Sequence, residues 1–308
     1  MTEFSREILD RWQVRKTKQQ KTDFIGFMKK NFPEMKIEAG GRLIKSRNLV
    51  IGDVQKADFI LTAHYDTCAV LPFPNVLSPI NMAFTLFYNI LICLPFFAVM
   101  AIICRLLSFV IDVFLIRYWI SFAIMLALLF TVFMGGKPNK HTANDNTSGV
   151  ITLLELMNRL SPEQKERTAF VFFDNEENGM LGSAFFAKKY KGCLTDKLVI
   201  NFDCVSDGDH ILVAMNNEVK TKYDPFVKDA FVSENGKAVC VSSRAFYPSD
   251  QMMFPVSIAV AALKRKKGIG LYLDRIHTKW DTVFDESNIV YICEKTESFL
   301  DEIAKRNQ

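Results

Sequence analysis

The apolar positions of this chain fall into three patterns, each predicting a different kind of element. Phe4, Ile8, Leu9 and Trp12 recur at helical spacing, followed by a second set at Phe24, Ile25, Phe27 and Met28, so residues 4–32 predict a polar helix pair. Around Leu43 to Ile51 basic and apolar residues alternate, as in an exposed strand. Short buried-strand runs, largely apolar, follow at Ala57 to Thr62, Ala169 to Phe173, Lys197 to Asp203, Ile211 to Met215 and Ser257 to Leu263. Such runs have the character of strands covered on both faces. Helical spacing returns at Val150 to Leu160, in part at Pro225 to Val232, and in a C-terminal helix from about Ser287 to Ala304.

The third pattern is continuous apolarity. Met82 to Ile103 holds 22 residues without a charge, long enough to span a hydrocarbon core as a helix. Arg105 interrupts it, Leu106 to Ile116 is apolar apart from Ser108 and Asp112, and Tyr118 to Met134 adds 17 uncharged residues before Gly135-Gly136-Lys137-Pro138. Neither stretch has the polar face that a surface helix of a soluble domain would show. A membrane hairpin is predicted, with Leu106 to Ile116 as a short interfacial or re-entrant connector.

The 308 residues suffice for one large α/β domain or two smaller ones. A net charge of +4 is mild and gives no nucleic-acid surface. The densest basic run, Lys264 to Lys267, reads as a solvated loop or helix end. Seven cysteines without a CxxC pair favour free thiols in a reducing compartment. The charged N-terminal stretch has no apolar core of a secretory signal. Lys137 and Lys140 nearly balance Arg105 and Arg117 by the positive-inside rule. With the free thiols, the expectation is an integral protein of a prokaryotic plasma membrane, its catalytic side cytosolic.

The candidate chemistry lies where the apolar runs stop. Ala169 to Phe173 ends in Asp174, Glu176 and Glu177, then Gly179 and Gly182, with Ser183 or its neighbours as the cap of a following helix. Adjacent carboxylates at the end of a buried strand need a cation or a proton to neutralise them. His64 and Asp66, two apart on an extended segment, point to one side. Asp145 sits in a polar loop feeding a helix N-terminus, Asp203 ends another apolar run, and His277 opens a further polar stretch. Two of the chain's four histidines among several carboxylates form the ligand set of a dinuclear zinc-type hydrolase.

The blocks AHYDT (63–67), ANDNTSG (143–149), FFDNEENGMLGS (172–183), NFD (201–203), SD (249–250) and HTKWDT (277–282) resemble, in content and order, the M28 family of metallo-aminopeptidases. The resemblance implies a three-layer α/β/α domain around a mixed sheet. It implies two divalent ions, most simply Zn²⁺, bridged by Asp145, with His64 and Asp203 completing one ion's ligands and Glu177 and His277 the other's. Glu176 would then be the general base toward the bridging water, and Asp66 would orient His64 through its other ring nitrogen. Asp250 matches a recurrent position near the pocket, without a catalytic role. The expected substrates are peptides with free N-termini. Two other activities fit the same resemblance: a catalytically weak membrane-anchored binding or scaffold protein, and a single-zinc glutaminyl-cyclase-like transferase.

One departure from the family pattern is large. His64 and Asp145 stand 81 positions apart, with the apolar hairpin between them. The expected organisation is a discontinuous peptidase domain (residues 1–78 and 135–308) around an inserted hairpin (79–134) that contacts the bilayer.

Overall fold

The computed structural model describes residues 1–41 and 44–306, so Leu43 lies outside the described residues. Its centre is a nine-stranded mixed sheet. The strands are β1 (Lys36–Gly40), β2 (Ser46–Ile51), β3 (Phe59–His64), β4 (Thr168–Phe173), β5 (Leu198–Phe202), β6 (His210–Met215), β7 (Ala238–Ser242), β8 (Ser257–Lys266) and β9 (Gly270–Tyr272). Their spatial order is β1-β2-β4-β3-β5-β8-β6-β7, with β9 added to β8. β4, β3, β5 and β8 form a parallel centre, flanked by antiparallel pairings of β2 with β4 and β6 with β8.

The unbroken apolar runs follow from this placement, because side chains alternate between two cores. Phe170 and Phe172 of β4, Leu61 and Ala63 of β3, and Ile200 and Phe202 of β5 face one core. Ala169, Val171 and Phe173, Ile60 and Val199 face the other. The first core is closed by α1 (Glu3–Arg11), α2 (Lys18–Asn31), α5 (Gly149–Arg159), α8 (Asn217–Ala230) and α9 (Glu286–Arg306). The second is closed by α7 (Leu181–Lys189) and a short turn of helix at Asp250–Met253; α6 (Pro162–Glu166) leads into β4. This is the three-layer α/β/α arrangement around a mixed sheet.

Several local expectations are corrected. β2 is buried along nearly its whole length, because Leu49 and Ile51 face one core and Val50 the other. β1 and β9 carry no apolar run and β7 only the four residues Ala238 to Val241, and the three were not anticipated. Ser183 is no cap: α7 starts after Met180, whose φ is +58°, and Ser183 lies buried inside it, donating to the Met180 carbonyl. Lys264 to Lys266 continue β8 rather than forming a loop, with Lys264 paired to Asp274. α8 begins eight residues ahead of Pro225, capped by the Asn216 side chain, which accepts from Val219 N–H at 3.0 Å.

The hairpin consists of α3 (Met82–Leu107) and α4 (Phe114–Phe133), packed against each other. Among the described residues these two helices are long and apolar enough to cross a membrane. At 26 and 20 residues they extend roughly 39 and 30 Å, against a hydrocarbon core of about 30 Å. Phe109 and Val110 are 75% and 78% exposed at the far end, and apolar side chains face outward along both helices. So large an exposed apolar surface belongs in lipid. The predicted connector shrinks to residues 108–113, because Leu106 continues α3 and Phe114 to Ile116 begin α4.

The turn before α5 is fitted tightly to β5. A Cβ at Gly149 would stand 2.3 Å from both the Phe202 carbonyl oxygen and Asn146 Oδ1. Gly149→Ala is therefore expected to cost about 1–3 kcal/mol by overpacking, measured by denaturant unfolding of the detergent-solubilised protein. Unchanged stability would mean that the turn has room to move.

Candidate metal centre

The parallel strands deliver their ends to one edge of the sheet. His64 closes β3 in register with Phe173 of β4, and Thr62 pairs with Asn201 of β5, so the residues just beyond β4 and β5 emerge beside His64. Carboxyl ends of parallel strands are the usual ligand-binding edge of open α/β sheets. Glu176 and Glu177 come from the loop after β4 and Asp203 from the residue after β5. Asp145 comes from the turn Ala143–Ser148, and His277 from the segment after β9, where its φ is +59°.

These side chains meet in two sets that share Asp145. His64 Nε2 lies 3.3 Å from Asp145 Oδ1 and 3.6 Å from Asp203 Oδ1. His277 Nε2 lies 2.9 Å from Asp145 Oδ2 and 3.2 Å from Glu177 Oε2. One aspartate thus presents each oxygen to a different imidazole–carboxylate pair. All five ligand candidates read from the sequence are brought together, and Glu176 lines the same cavity as His64, Asp145, Asp203 and His277.

The charges in this cluster are poorly balanced without a cation. Burial pushes the Glu177 carboxyl up to about 8, with His277 opposing and Asp145 adding to the rise. Burial raises Glu176 well above the usual carboxylate range, with His64 opposing and Asp250, Glu177 and Asp203 reinforcing. Burial would lower His277, yet Glu177 and Asp145 carry it up to about 9. His64 is likewise held well above its ordinary value by Glu176, Asp145 and Asp203 against the pull of burial. Four carboxylates face two imidazoles, and buried Glu177 Oε1 has no hydrogen-bond partner. Divalent cations would satisfy both the excess negative charge and the unpartnered oxygen. The donor set of imidazole nitrogens and carboxylate oxygens fits zinc.

Asp66 meets the other ring nitrogen of His64, chiefly through its main chain. The nearest partner of His64 Nδ1 is the Asp66 backbone carbonyl at 3.0 Å, whereas the carboxylate stands 3.7 Å away. Its carboxylate instead accepts the backbone N–H groups of Glu176 and Glu177, at 3.0 and 3.2 Å. Asp66 therefore positions the glutamate loop with its side chain and His64 with its main chain. Of the three acidic residues after β4, Asp174 belongs to the scaffold: it pairs with Lys21 Nζ at 2.6 Å and accepts Arg47 N–H at 2.8 Å. Asp250 is fully buried with both oxygens unpartnered, and burial pushes it up to about 7 against the pull of His64.

Three supporting residues escaped the sequence reading. Asp281 accepts the backbone N–H groups of Asn144 and Asp145 at 2.8 and 3.0 Å, fixing the turn, whose Asp145–Asn146 peptide is cis. Asn144 Oδ1 in turn accepts from Ser206 and Asp207 N–H, at 2.8 and 3.0 Å. Arg15, with no exposed surface, donates to the Tyr65 carbonyl and to Thr147 Oγ1 at 3.2 Å, joining the β3 loop to the same turn. Asp281 and Asn144 lay in blocks with a chemical signal, and Arg15 did not. Asp281→Asn, which removes an acceptor from this pair of bonds, is expected to weaken zinc binding about 10–100-fold, measured by titration against a competing chelator. An unchanged affinity would reduce Asp281 to a folding role.

Residues 130–290, just over half the chain, match the model of peptidase family M28. The chain belongs to peptidase family M28. A vacuolar membrane protease of Candida glabrata is 32% identical over 97 residues, which are 31% of this chain and 10% of that relative. The chain thus spans only a small part of that relative's length. The zinc-dependent exopeptidase of Parabacteroides distasonis superposes at a TM-score of 0.56, with 14% identity and 96% of each chain covered. Glutaminyl cyclase of Porphyromonas gingivalis superposes at 0.58, with 15% identity and 97% of each chain covered. This M28 chain therefore has a fold that serves both a peptidase and a cyclase, and the reaction has to be argued from its site.

Proposed function

We propose that this M28 chain is a membrane-anchored, dinuclear zinc aminopeptidase that releases N-terminal residues from peptides. The observation that carries the reading is the split of Asp145, one oxygen toward His64 and Asp203 and the other toward His277 and Glu177. A single-ion site needs only one of these sets, and the second set favours hydrolysis over cyclase chemistry. When bound, the two ions acidify a water molecule and polarise the scissile carbonyl.

The remaining work falls to side chains. Glu176 lines the cavity in its own right and is made more basic by burial and by Asp250, Glu177 and Asp203. It accepts the proton of the attacking water and returns it to the leaving amine. Asp66 holds Glu176 and Glu177 at adjacent main-chain positions while their side chains serve different ends. The cavity, about 420 Å³, has room for only a short stretch of chain, which favours attack at a terminus.

The peptidase domain on this reading comprises residues 1–78 and 135–308, interrupted by the hairpin 79–134. All seven cysteines are unpaired, which supports a cytosolic catalytic side. Elemental analysis of the purified protein, with a panel of aminoacyl fluorogenic substrates, is the direct test. About two zinc ions per chain and release of the fluorophore are expected. A single ion, with ring closure on Gln-initiated peptides, would favour the cyclase.

A further inference from the structure

Part of the wall of the catalytic cavity is the membrane hairpin itself. Met82, Thr85, Leu86 and Asn89 of α3 line the space that also contacts His64, Glu176 and His277. Their spacing of i, i+3, i+4 and i+7 is one stripe of a helix. Around that stripe the same two turns present Phe87 and Ile90, 64% and 53% exposed, to the surroundings. One short segment thus faces the catalytic residues on one side and, in a membrane, lipid on the other. The stripe covers the first eight residues of α3, roughly 12 Å along the helix axis, which places the cavity at the edge of the bilayer.

The hairpin is fastened to the domain where it meets the cavity. Ser78 Oγ donates to the Leu271 carbonyl at 2.8 Å and Asn81 Nδ2 to the Ile269 carbonyl at 3.1 Å, while Asn81 Oδ1 caps α3 by accepting Phe84 N–H. Thr85 Oγ1 binds both the N–H and the carbonyl of Ser78 at 3.0 Å. Leu77 pairs with Leu273 through both main-chain groups, and the Pro79 carbonyl accepts Phe246 N–H at 2.8 Å. At the other end Lys16 Nζ donates to the Met134 carbonyl at 2.6 Å, and the Phe73 and Phe133 rings lie 5.7 Å apart. Such bonds hold α3 at a fixed height and distance from the ligand cluster.

The chemistry of this wall defines what it accepts. Val76, Leu77, Met82, Leu86 and Ile276 give the cavity an apolar share of its lining beside the carboxylates. Leu86 and Phe246 line it yet are 62% and 43% exposed, so its mouth has an apolar rim beside the start of the membrane helix. We infer that α3 is the specificity wall of the site, and that the substrate is a peptide lodged in the bilayer interface with a bulky apolar N-terminal residue. This rests on the peptidase reading and deepens it.

The test uses the full chain, loaded with zinc and reconstituted into vesicles of phosphatidylcholine and phosphatidylglycerol. Its probes are Leu-initiated and Ala-initiated fluorogenic peptides, each with and without a C-terminal palmitoyl chain. Leu86→Trp, which fills the cavity without adding a charge to the membrane helix, is expected to lower the Leu-over-Ala ratio of kcat/KM by about tenfold or more, within the range that pocket fit commands. Leu86→Ala, which opens the cavity, should shift the preference toward larger N-terminal residues, with bound zinc unchanged in both variants. The palmitoylated Leu peptide should be cleaved faster than its soluble counterpart. If neither substitution moves the ratio, α3 is no specificity wall. Equal rates with and without the acyl chain would refute delivery from the bilayer interface. A zinc-loaded wild type that cleaves none of these peptides would overturn the peptidase reading, and the inference with it.

Discussion

Glu176→Gln is expected to lower kcat by about 10²–10⁴-fold, the contribution of a positioned general base, while leaving bound zinc in place. The amide keeps the size and hydrogen-bonding reach of the carboxylate but cannot accept the water's proton. Glu176 belongs to neither of the two sets around Asp145, so its neutralisation leaves both imidazole–carboxylate pairs intact. Asp66 binds the main chain of Glu176 and not its side chain, so the loop has no reason to move. The pairing of lost turnover with unchanged metal content separates a base from a ligand. Full activity in this variant would sink the assignment of Glu176, and loss of zinc would move it into the ligand set.

Asp145→Asn should behave in the opposite way. Both oxygens of Asp145 are engaged by different imidazoles, and buried hydrogen bonds from His277 and His64 hold the carboxyl below its usual range although burial opposes this. An amide offers one acceptor oxygen, so one set loses its shared donor outright, and the charge available to both falls. Zinc affinity is expected to drop by more than the roughly 10–100-fold that follows from losing an outer hydrogen-bond partner, and hydrolysis should fall at least as far as in the Glu176 variant. Elemental analysis after dialysis against a mild chelator reads the result. Retention of a full complement of zinc would refute the bridging role.

The contrast between these residues shows what the sequence made legible. His64 closes one buried strand, Asp203 directly follows another and Glu177 stands four residues past a third, and a charge at such a boundary is visible because the buried strand before it is. The same logic failed for β1 and β9, which are short and lack the run, and for β7, whose four-residue run is only half-buried. It did not reach the second contact of Asp66, since spacing places a carboxylate on a side of the chain but does not show that it accepts the main-chain N–H groups of Glu176 and Glu177. Arg15 reads as one basic residue among many in a charged helical region. Only the docking of that region against Tyr65 and Thr147 buries it.

The hairpin was legible as apolar length inserted after His64, and the α3 residues that line the cavity were not. Its place depends on bonds from Ser78 and Asn81 to Leu271 and Ile269, partners 193 and 188 positions away in sequence. No local pattern encodes such a distance. Asp281 lies between these cases. Its block carried the family signal, but its bonds to Asn144 and Asp145 appear only once the chain is folded.

The central claim is that this cluster hydrolyses peptides from their N-termini, and product analysis tests it most directly. Zinc-loaded full-length protein in vesicles is incubated with an unblocked Leu-initiated peptide, its N-acetylated form and a Gln-initiated peptide, and the products are identified by mass spectrometry. The account predicts stepwise release of single residues from the free N-terminus, with the acetylated peptide left intact. Internal cleavage, equal digestion of the acetylated peptide, or loss of ammonia from the Gln-initiated peptide without residue release would contradict it.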